Sequence, residues 1–272
     1  MDSQIVAVFC LCDDILKALY HREDRQSWIS DAEIMTIALT AALHFGGNQA
    51  KANRFLYEHG YIKHLLSRSR FNRRLHRLSE LVWSVFHTLG EVWKALNEHS
   101  IYVIDSFPVA VCDNYRIGRC HIYQDEAYRG YQASKRRYYY GLKIHLLTTE
   151  CGQPVEFFLT PGSFSDTPTL KAYLLDLPKE SQLTGDKAYN DYEVEDLLNE
   201  LGIRFCPQRK QNSKRPLPPW VTFLMSSYRK MIETTGSMIE RILPKHIHAV
   251  TAAGFELKVA LFVLACSFGY GV

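Results

Sequence analysis

The chain of 272 residues has no Cys-x-x-Cys pair, no internal repeat and little net charge, +3 in all. Each absence excludes something. Seven cysteines without that spacing argue against zinc ribbons and thioredoxin-type motifs, and Cys120-His121 has no second pair at ligand spacing. Free thiols, odd in number, fit a reducing cytosol. The apolar stretch from Val259 to Val272 is broken by Ser267 and two glycines and is too short to span a bilayer, so it predicts a buried C-terminal helix. Ile5 to Cys12 is also apolar, but Asp2 precedes it and Asp13-Asp14 follow. With no basic leader and no cleavage site, the expectation is that this is not a secretory signal, that no membrane is involved and that the protein is cytoplasmic. Hydrophobic residues at 47% and charged residues at 22% exclude disorder, collagen and coiled coil as the main architecture, and the length allows one large or two modest domains.

Acid is missing from two long stretches. His59 to Ser79 has none, but carries Lys63, Arg68, Arg70, Arg73, Arg74 and Arg77. Leu201 to Ile232 has none either, but carries Arg204, Arg209, Lys210, Lys214, Arg215, Arg229 and Lys230. Two local positive fields on a nearly neutral chain suggest a polyanionic partner.

Residues 1–98 read as helical. Ser30-Asp31-Ala32-Glu33 ahead of Ile34 and Ile37 looks like a helix start, with Ser30 as N-cap and Glu33 three residues on. Phe71, Leu75, Leu78, Val82, Val85 and Leu89 recur at three and four residues, predicting one helix with Arg70, Arg73, Arg74 and Arg77 on its other face. That face reads as a DNA-facing helix in helix-turn-helix style, the alternative being a solvated basic face.

At Ile101 the period changes. Ile101 to Ile104 predicts a buried strand ending at Asp105. Tyr138 to Thr148, broken by Gly141, and Val155 to Leu159 predict two more. Leu170 to Leu177 reads as helix, Ser181 to Thr184 as strand, Tyr192 to Leu201 as helix closed by Gly202, and Ile203 to Cys206 as a fifth strand. A polar, basic loop spans 207–220, and a long helix starts near Val221. Three strands with short turns make an antiparallel meander, and two strands separated by helices pair in parallel. The fold class expected is therefore α/β: a ribonuclease H-like mixed five-stranded sheet with helices on both faces. The division drawn is 1–98 as an all-α DNA-binding region and 99–272 as the catalytic domain, including the basic loop and the C-terminal helix.

Three acids stand out by position: Asp105 and Asp186 at strand ends and Glu233 on the late helix. If the first and fourth strands are central neighbours, both aspartates lie at one edge of the sheet, within reach of a glutamate on a packed helix. Three such carboxylates repel unless a cation neutralises them. They are hard oxygen ligands suited to Mg²⁺ or Mn²⁺. Two such ions about 4 Å apart can activate water and stabilise the leaving oxygen of a phosphodiester. Glu240, two turns beyond Glu233, rivals it.

The text around these acids carries a resemblance. In order it reads Val103-Ile104-Asp105-Ser106, Tyr140-Gly141-Leu142-Lys143-Ile144-His145, Leu159-Thr160-Pro161-Gly162 with Asp166, Thr184-Gly185-Asp186-Lys187-Ala188-Tyr189 and Arg229-Lys230-Met231-Ile232-Glu233-Thr234. This series resembles the DDE transposases of bacterial insertion sequences. Ile247 to Thr251, Gly254 to Lys258 and Asn212-Ser213 look most like the 982 family of insertion sequences. The resemblance implies that Asp105, Asp186 and Glu233 form the catalytic, metal-binding triad, with two Mg²⁺ or Mn²⁺ ions per active site. It also implies that the partners are double-stranded DNA, both terminal inverted repeats and target, with a homo-oligomer assembled on it in the nucleoid. Arg229 matches the arginine of the related signature Y-x2-R-x3-E-x6-K. Ser226 stands where that signature has tyrosine, and Glu240 where it has lysine.

Other residues fit the same partner. Lys135-Arg136-Arg137 beside three tyrosines, and Arg209, Lys210, Lys214 and Arg215 in the basic loop, are candidates for DNA contact together with Arg229, with solvated loops as the alternative. His145 reads as a residue packed behind a ligand rather than a ligand itself. The function expected is an active transposase that cleaves DNA and joins 3′ hydroxyl ends to target DNA. The alternatives are a nuclease-like relative that does not join, and a DNA-binding relative without catalysis.

Overall fold

The computed structural model describes residues 1–24 and 26–270. Arg25 lies outside the described residues, as do Gly271 and Val272, the end of the apolar C-terminal run. The chain forms two compact units: Met1–Leu89 with Met238–Val272, and Gly90–Ser237. The last helix thus packs with the N-terminal helices. No helix among the described residues is long and apolar enough to cross a membrane.

The first unit is helical, as the periodicity predicts. It contains α1 (Asp2–Ala18), α2 (Asp31–His44), α3 (Gln49–Glu58), α4 (Arg68–Arg77) and most of α5 (Ser79–Leu96), together with α9 (Ala252–Phe268). α2 and α9 are apolar on nearly every side and bury almost every residue, so they form the centre of this unit against each other. α2 starts at the expected capping box: the Ser30 hydroxyl accepts from Glu33 N–H and the Glu33 carboxylate accepts from Ser30 N–H. The single helix expected from Phe71 to Leu89 is two, α4 and α5, separated by a turn at Leu78. Both keep the predicted apolar stripe, because the break is too short to rotate it out of phase.

The second unit contains β1 (Ile101–Asp113), β2 (Arg129–Gln132), β3 (Arg137–Thr149), β4 (Pro154–Pro161), α6 (Asp166–Ala172), β5 (Gln182–Gly185), α7 (Tyr192–Glu200), β6 (Arg204–Pro207) and most of α8 (Pro219–Ile242). β1, β3 and β4 are the antiparallel meander, and β1, β5 and β6 pair in parallel. This order, β4-β3-β1-β5-β6, with helices on both faces, is the ribonuclease H-like fold. The sheet has six strands, not five: β2 pairs with the first residues of β3 in a hairpin whose sequence, Arg129-Gly130-Tyr131-Gln132, is too short and polar to signal a strand.

Three boundaries differ from those the sequence predicts. β1 does not end at Asp105 but continues to Asp113. β5 stops pairing with it at Ile104, so the edge beyond is not held by β5 and tolerates Pro108, which has no N–H to offer. β3 runs unbroken through Gly141, where a Cβ would sit 2.3 Å from the Val109 carbonyl, so glycine is required by close approach and is no break. The helix expected at Leu170–Leu177 is shifted to Asp166–Ala172, and Tyr173, Leu175 and Leu177 pack against the sheet core from irregular chain. That core joins Tyr102, Ile104, Leu147 and Leu183 of the strands to Leu170, Val194 and Leu198 of α6 and α7. On the other face, Gly236 of α8 lies over Phe107.

Candidate active site

The parallel register pairs Ile104 with Gly185, so Asp105 and Asp186 are the next residues on two adjacent strands. Each carboxylate is fixed by a backbone N–H. Asp105 Oδ1 accepts from Ser106 N at 2.8 Å, and Asp186 Oδ1 accepts from Ala188 N at 2.8 Å as the cap of a 3-10 turn. Side chains alternate along a strand, so Asp105 shares its face of β1 with Phe107, the face that α8 covers. Glu233, on α8, is exposed and takes a hydrogen bond from Arg229 Nε at 2.6 Å. Arg229 Nη1 reaches Gln208 Oε1 at 3.1 Å.

Electrostatics tie these acids together. The half-buried Asp105 carboxyl is pushed up to about 6 by burial and by the negative charges of Asp186 and Glu233, against the pull of the Ser106 N–H and Arg229. Glu240, the rival on the same helix, is exposed and falls in the other compact unit.

His145 is on the opposite face of the sheet, paired across from Ser106, and is fully buried. Its Nδ1 meets the Tyr189 hydroxyl at 3.2 Å and its Nε2 the Thr160 hydroxyl at 3.0 Å, while its ring stacks on Phe158 with centroids 4.7 Å apart. Both ring nitrogens are engaged, so neither is free to hold a metal. Burial pushes its pKa down to about 4, against the attraction of Asp166. Beside it lies a group of residues to which the sequence alone assigns no role. Asp166 Oδ1 accepts from the Ser106 hydroxyl at 2.9 Å and from Lys143 Nζ at 3.0 Å. Ser106 is therefore braced from behind while its N–H holds Asp105. The signal available was the polar character of Lys143 and His145 in an otherwise apolar strand.

The candidate DNA-contacting cations separate into free and engaged groups. Arg70, Arg73 and Arg77 on α4 are exposed. Arg74 is not with them: it donates to Ser27 Oγ, to the Ile29 carbonyl and to Asp31. Lys135 and Arg136 are exposed at the turn of the β2–β3 hairpin, and Arg137, also exposed, donates from Nη1 to Asp113 Oδ1 at 3.1 Å. The exposed rings of Tyr131 and Tyr138 pair at 4.9 Å on the same hairpin, with the Arg129 guanidinium 4.6 Å from the Tyr138 ring. In the loop, Lys210 and Lys214 are exposed, but Arg209 is buried in a two-armed bridge to Glu195 at 2.8 and 2.9 Å, and Arg215 is bound to Asp196 at 2.7 and 3.0 Å over the Tyr192 ring. The sequence could not show this, because the acids that neutralise the loop lie upstream on α7.

Residues 95–248, more than half of the chain, match the family described as the transposase DDE domain. No curated protein matches the chain. Two solved structures are similar to it. The piggyBac transposase synaptic complex with hairpin DNA has a TM-score of 0.48 at 10% identity, over 100% of this chain and 73% of that one. The Mos1 transposase paired-end complex with left transposon end has a TM-score of 0.27 at 12% identity, over 84% of this chain and 82% of that one.

Proposed function

Since the chain belongs to the transposase DDE domain family, we propose that it is an active DNA transposase that binds the terminal repeats of an insertion sequence, cleaves phosphodiester bonds there and joins the 3′ hydroxyl ends to target DNA. The observation that carries this reading is the β1–β5 register, which makes Asp105 and Asp186 neighbours while Glu233 acts on the same carboxyl. Asp105, Asp186 and Glu233 are the residues that would hold two Mg²⁺ or Mn²⁺ ions. The fit is chemical: the donors are all carboxylate oxygens, the choice of hard divalent ions, and Asp105, raised first by burial and then by the charges of Asp186 and Glu233, gains from a neighbouring cation. When bound, such ions supply an activated water and stabilisation of the leaving oxygen. The chain's own part is orientation. Backbone N–H groups fix the rotation of both aspartates, and Arg229 steadies Glu233 until DNA arrives.

DNA contact falls to the exposed cations: Arg70, Arg73 and Arg77 on α4, the Lys135–Arg137 turn, and Lys210 and Lys214. Phosphate contacts of this kind set register and carry most of the salt dependence. The finer likeness to the 982 family rests on Ile247–Thr251, Gly254–Lys258 and Asn212-Ser213. A homo-oligomer on DNA is part of the same proposal.

The test is a strand-transfer assay on DNA carrying the element ends, in Mg²⁺ or Mn²⁺, comparing wild type with Asp186→Ala. The expected result is metal-dependent cleavage and joining in wild type only. Cleavage without joining identifies a nuclease-like relative, and binding without nicking a regulatory one.

A further inference from the structure

The helical unit holds a cavity of about 720 Å³, within the roughly 300–1,000 Å³ of small-molecule sites. It is walled by the first turn of α3, the start of α4 and one side of α9, with segment 244–248 along its rim. Three features of its lining point to one kind of ligand.

The first is charge. Arg68 and Lys258 both line the cavity, together with Arg54, His246 and His248, and no lining residue is an acid. Arg54 is paired with Glu58, and Lys258 Nζ donates to the His248 carbonyl, but neither Arg68 nor Lys258 meets an acid on the cavity wall. Burial, and then the Arg68 charge, hold the Lys258 ammonium below its usual range. Two cations on one wall without an acid between them favour an anion.

The second is an unmet acceptor. Asn53 is 5% exposed and lines the cavity. Its Nδ2 donates to the Leu66 carbonyl at 2.9 Å, while its Oδ1 has no partner among the described residues. Buried polar atoms are rarely left so. Sulfate or chloride has no donor to give it, and phosphate only its own O–H.

The third is aromatic surface. Phe45, Phe71 and Phe262 line the same space. Gly47 is also held close: a Cβ there would stand 2.8 Å from the Phe262 ring. Phe71 and Phe262 are 2% and 3% exposed, so it is the half-buried Phe45 that offers a ring face on which a flat ring stacks.

We propose that this cavity binds a nucleoside 5′-phosphate, either free or standing unpaired in a DNA strand. The phosphate lies on Arg68 and Lys258, the base lies against Phe45, and an N–H on the base edge donates to Asn53 Oδ1. Every DNA base carries such a donor on its pairing edge, so the site accepts the class rather than one base. An inorganic anion offers the rings nothing, and an apolar molecule offers the cations nothing. The proposal does not rest on the metal-site reading, and its test contains no divalent ion.

The experiment is calorimetric titration of the full chain with dAMP in EDTA. One dAMP per chain is expected, binding at least about tenfold more tightly than inorganic phosphate or deoxyadenosine alone. Lys258→Gln and Arg68→Gln should each weaken dAMP about tenfold, and Lys17→Gln, on exposed α1, should leave it unchanged. Asn53→Leu, checked for folding by its melting curve, should weaken dAMP more than inorganic phosphate. Two arms separate the sources. Competition for the dAMP site by a duplex with one unpaired adenine, and not by the fully paired duplex, points to a strand nucleotide. Saturation by dAMP with no competition from either duplex points to a free one. Absence of saturable dAMP binding, equal affinity for dAMP and phosphate, or binding untouched by both charge variants overturns the proposal.

Discussion

Arg229 donates from Nε to Glu233 Oε1 at 2.6 Å, one turn along α8, and its Nη1 reaches Gln208 Oε1 at 3.1 Å. One guanidinium therefore links the helix that bears the third acid to the chain leaving β6. Glu240 falls where the related signature has lysine, and it is followed by Arg241.

Glu233→Gln is accordingly expected to abolish cleavage and joining while leaving DNA binding intact. Glu240→Gln should keep substantial activity, because Glu240 is an exposed side chain on the helix surface. The check is a strand-transfer assay with a parallel gel-shift titration. A dead Glu240→Gln beside an active Glu233→Gln would move the third acid two turns along the helix.

The α4 arginines should divide by role. Replacing Arg70, Arg73 and Arg77 together with alanine should weaken DNA binding and flatten the slope of log K against log salt by about 0.9 for each phosphate left without its arginine. Arg74→Ala should instead lower stability, by about 2 kcal/mol or more, since it strips charged hydrogen bonds from Ser27, Ile29 and Asp31. Denaturant unfolding and salt titration of both variants separate the two effects; an unchanged salt slope in the triple variant would mean that those arginines are merely solvated.

Arg209→Met should leave the Glu195 carboxylate with only the longer contact from Arg215 Nη1, at 3.6 Å. Breaking one side of a buried pair costs about 3–5 kcal/mol, and both side chains here are roughly nine-tenths buried. Chemical unfolding measures the loss. A variant as stable as wild type but weakened on DNA would return Arg209 to the interface.

His145 makes a prediction in pH. Its folded value is about 4 and its ordinary value 6.5, so the native state resists a proton that the unfolded chain accepts. The stability is complete above about pH 6.5 and falls as pH drops toward about 4, on the order of 2 kcal/mol between pH 7 and 5. Asp105, raised to about 6, has the opposite sign and must be cancelled by comparison. The measurement is the change in unfolding free energy between the two pH values, wild type against His145→Phe. Equal losses in both proteins would show that burial does not keep this ring neutral.

Much of the fold was legible because its signals are local. The stripe of Phe71, Leu75 and Val82 and the Ser30–Glu33 box identify helices from a few neighbouring residues. The β-branched run ahead of Asp105 marks the first strand in the same way. What was illegible depends on partners distant in sequence. β1 extends past Asp105 because β3 pairs with it as far as Asp113, which no residue near Asp105 announces. The basic loop looked free because Glu195 and Asp196 sit on another element. Arg74 looked like its three neighbours because Ser27 and Asp31 lie more than forty positions upstream. Conversely, the pairing of Asp105 with Asp186 could be anticipated, since a parallel pair of central strands has few other registers that keep both buried faces apolar.

The helical unit is assembled from both ends of the polypeptide, with α9 against α2. During synthesis α2 leaves the ribosome long before α9 exists, and its apolar surface must wait for α9. Folding therefore proceeds out of sequence order: the sheet unit, continuous from Gly90 to Ser237, has all its parts first, and the helical unit closes last. A premature stop before Ala252 would spare every strand and all three acids yet leave α2 uncovered. Chains cut before Ala252 should consequently be aggregation-prone, whatever the state of their sheet unit.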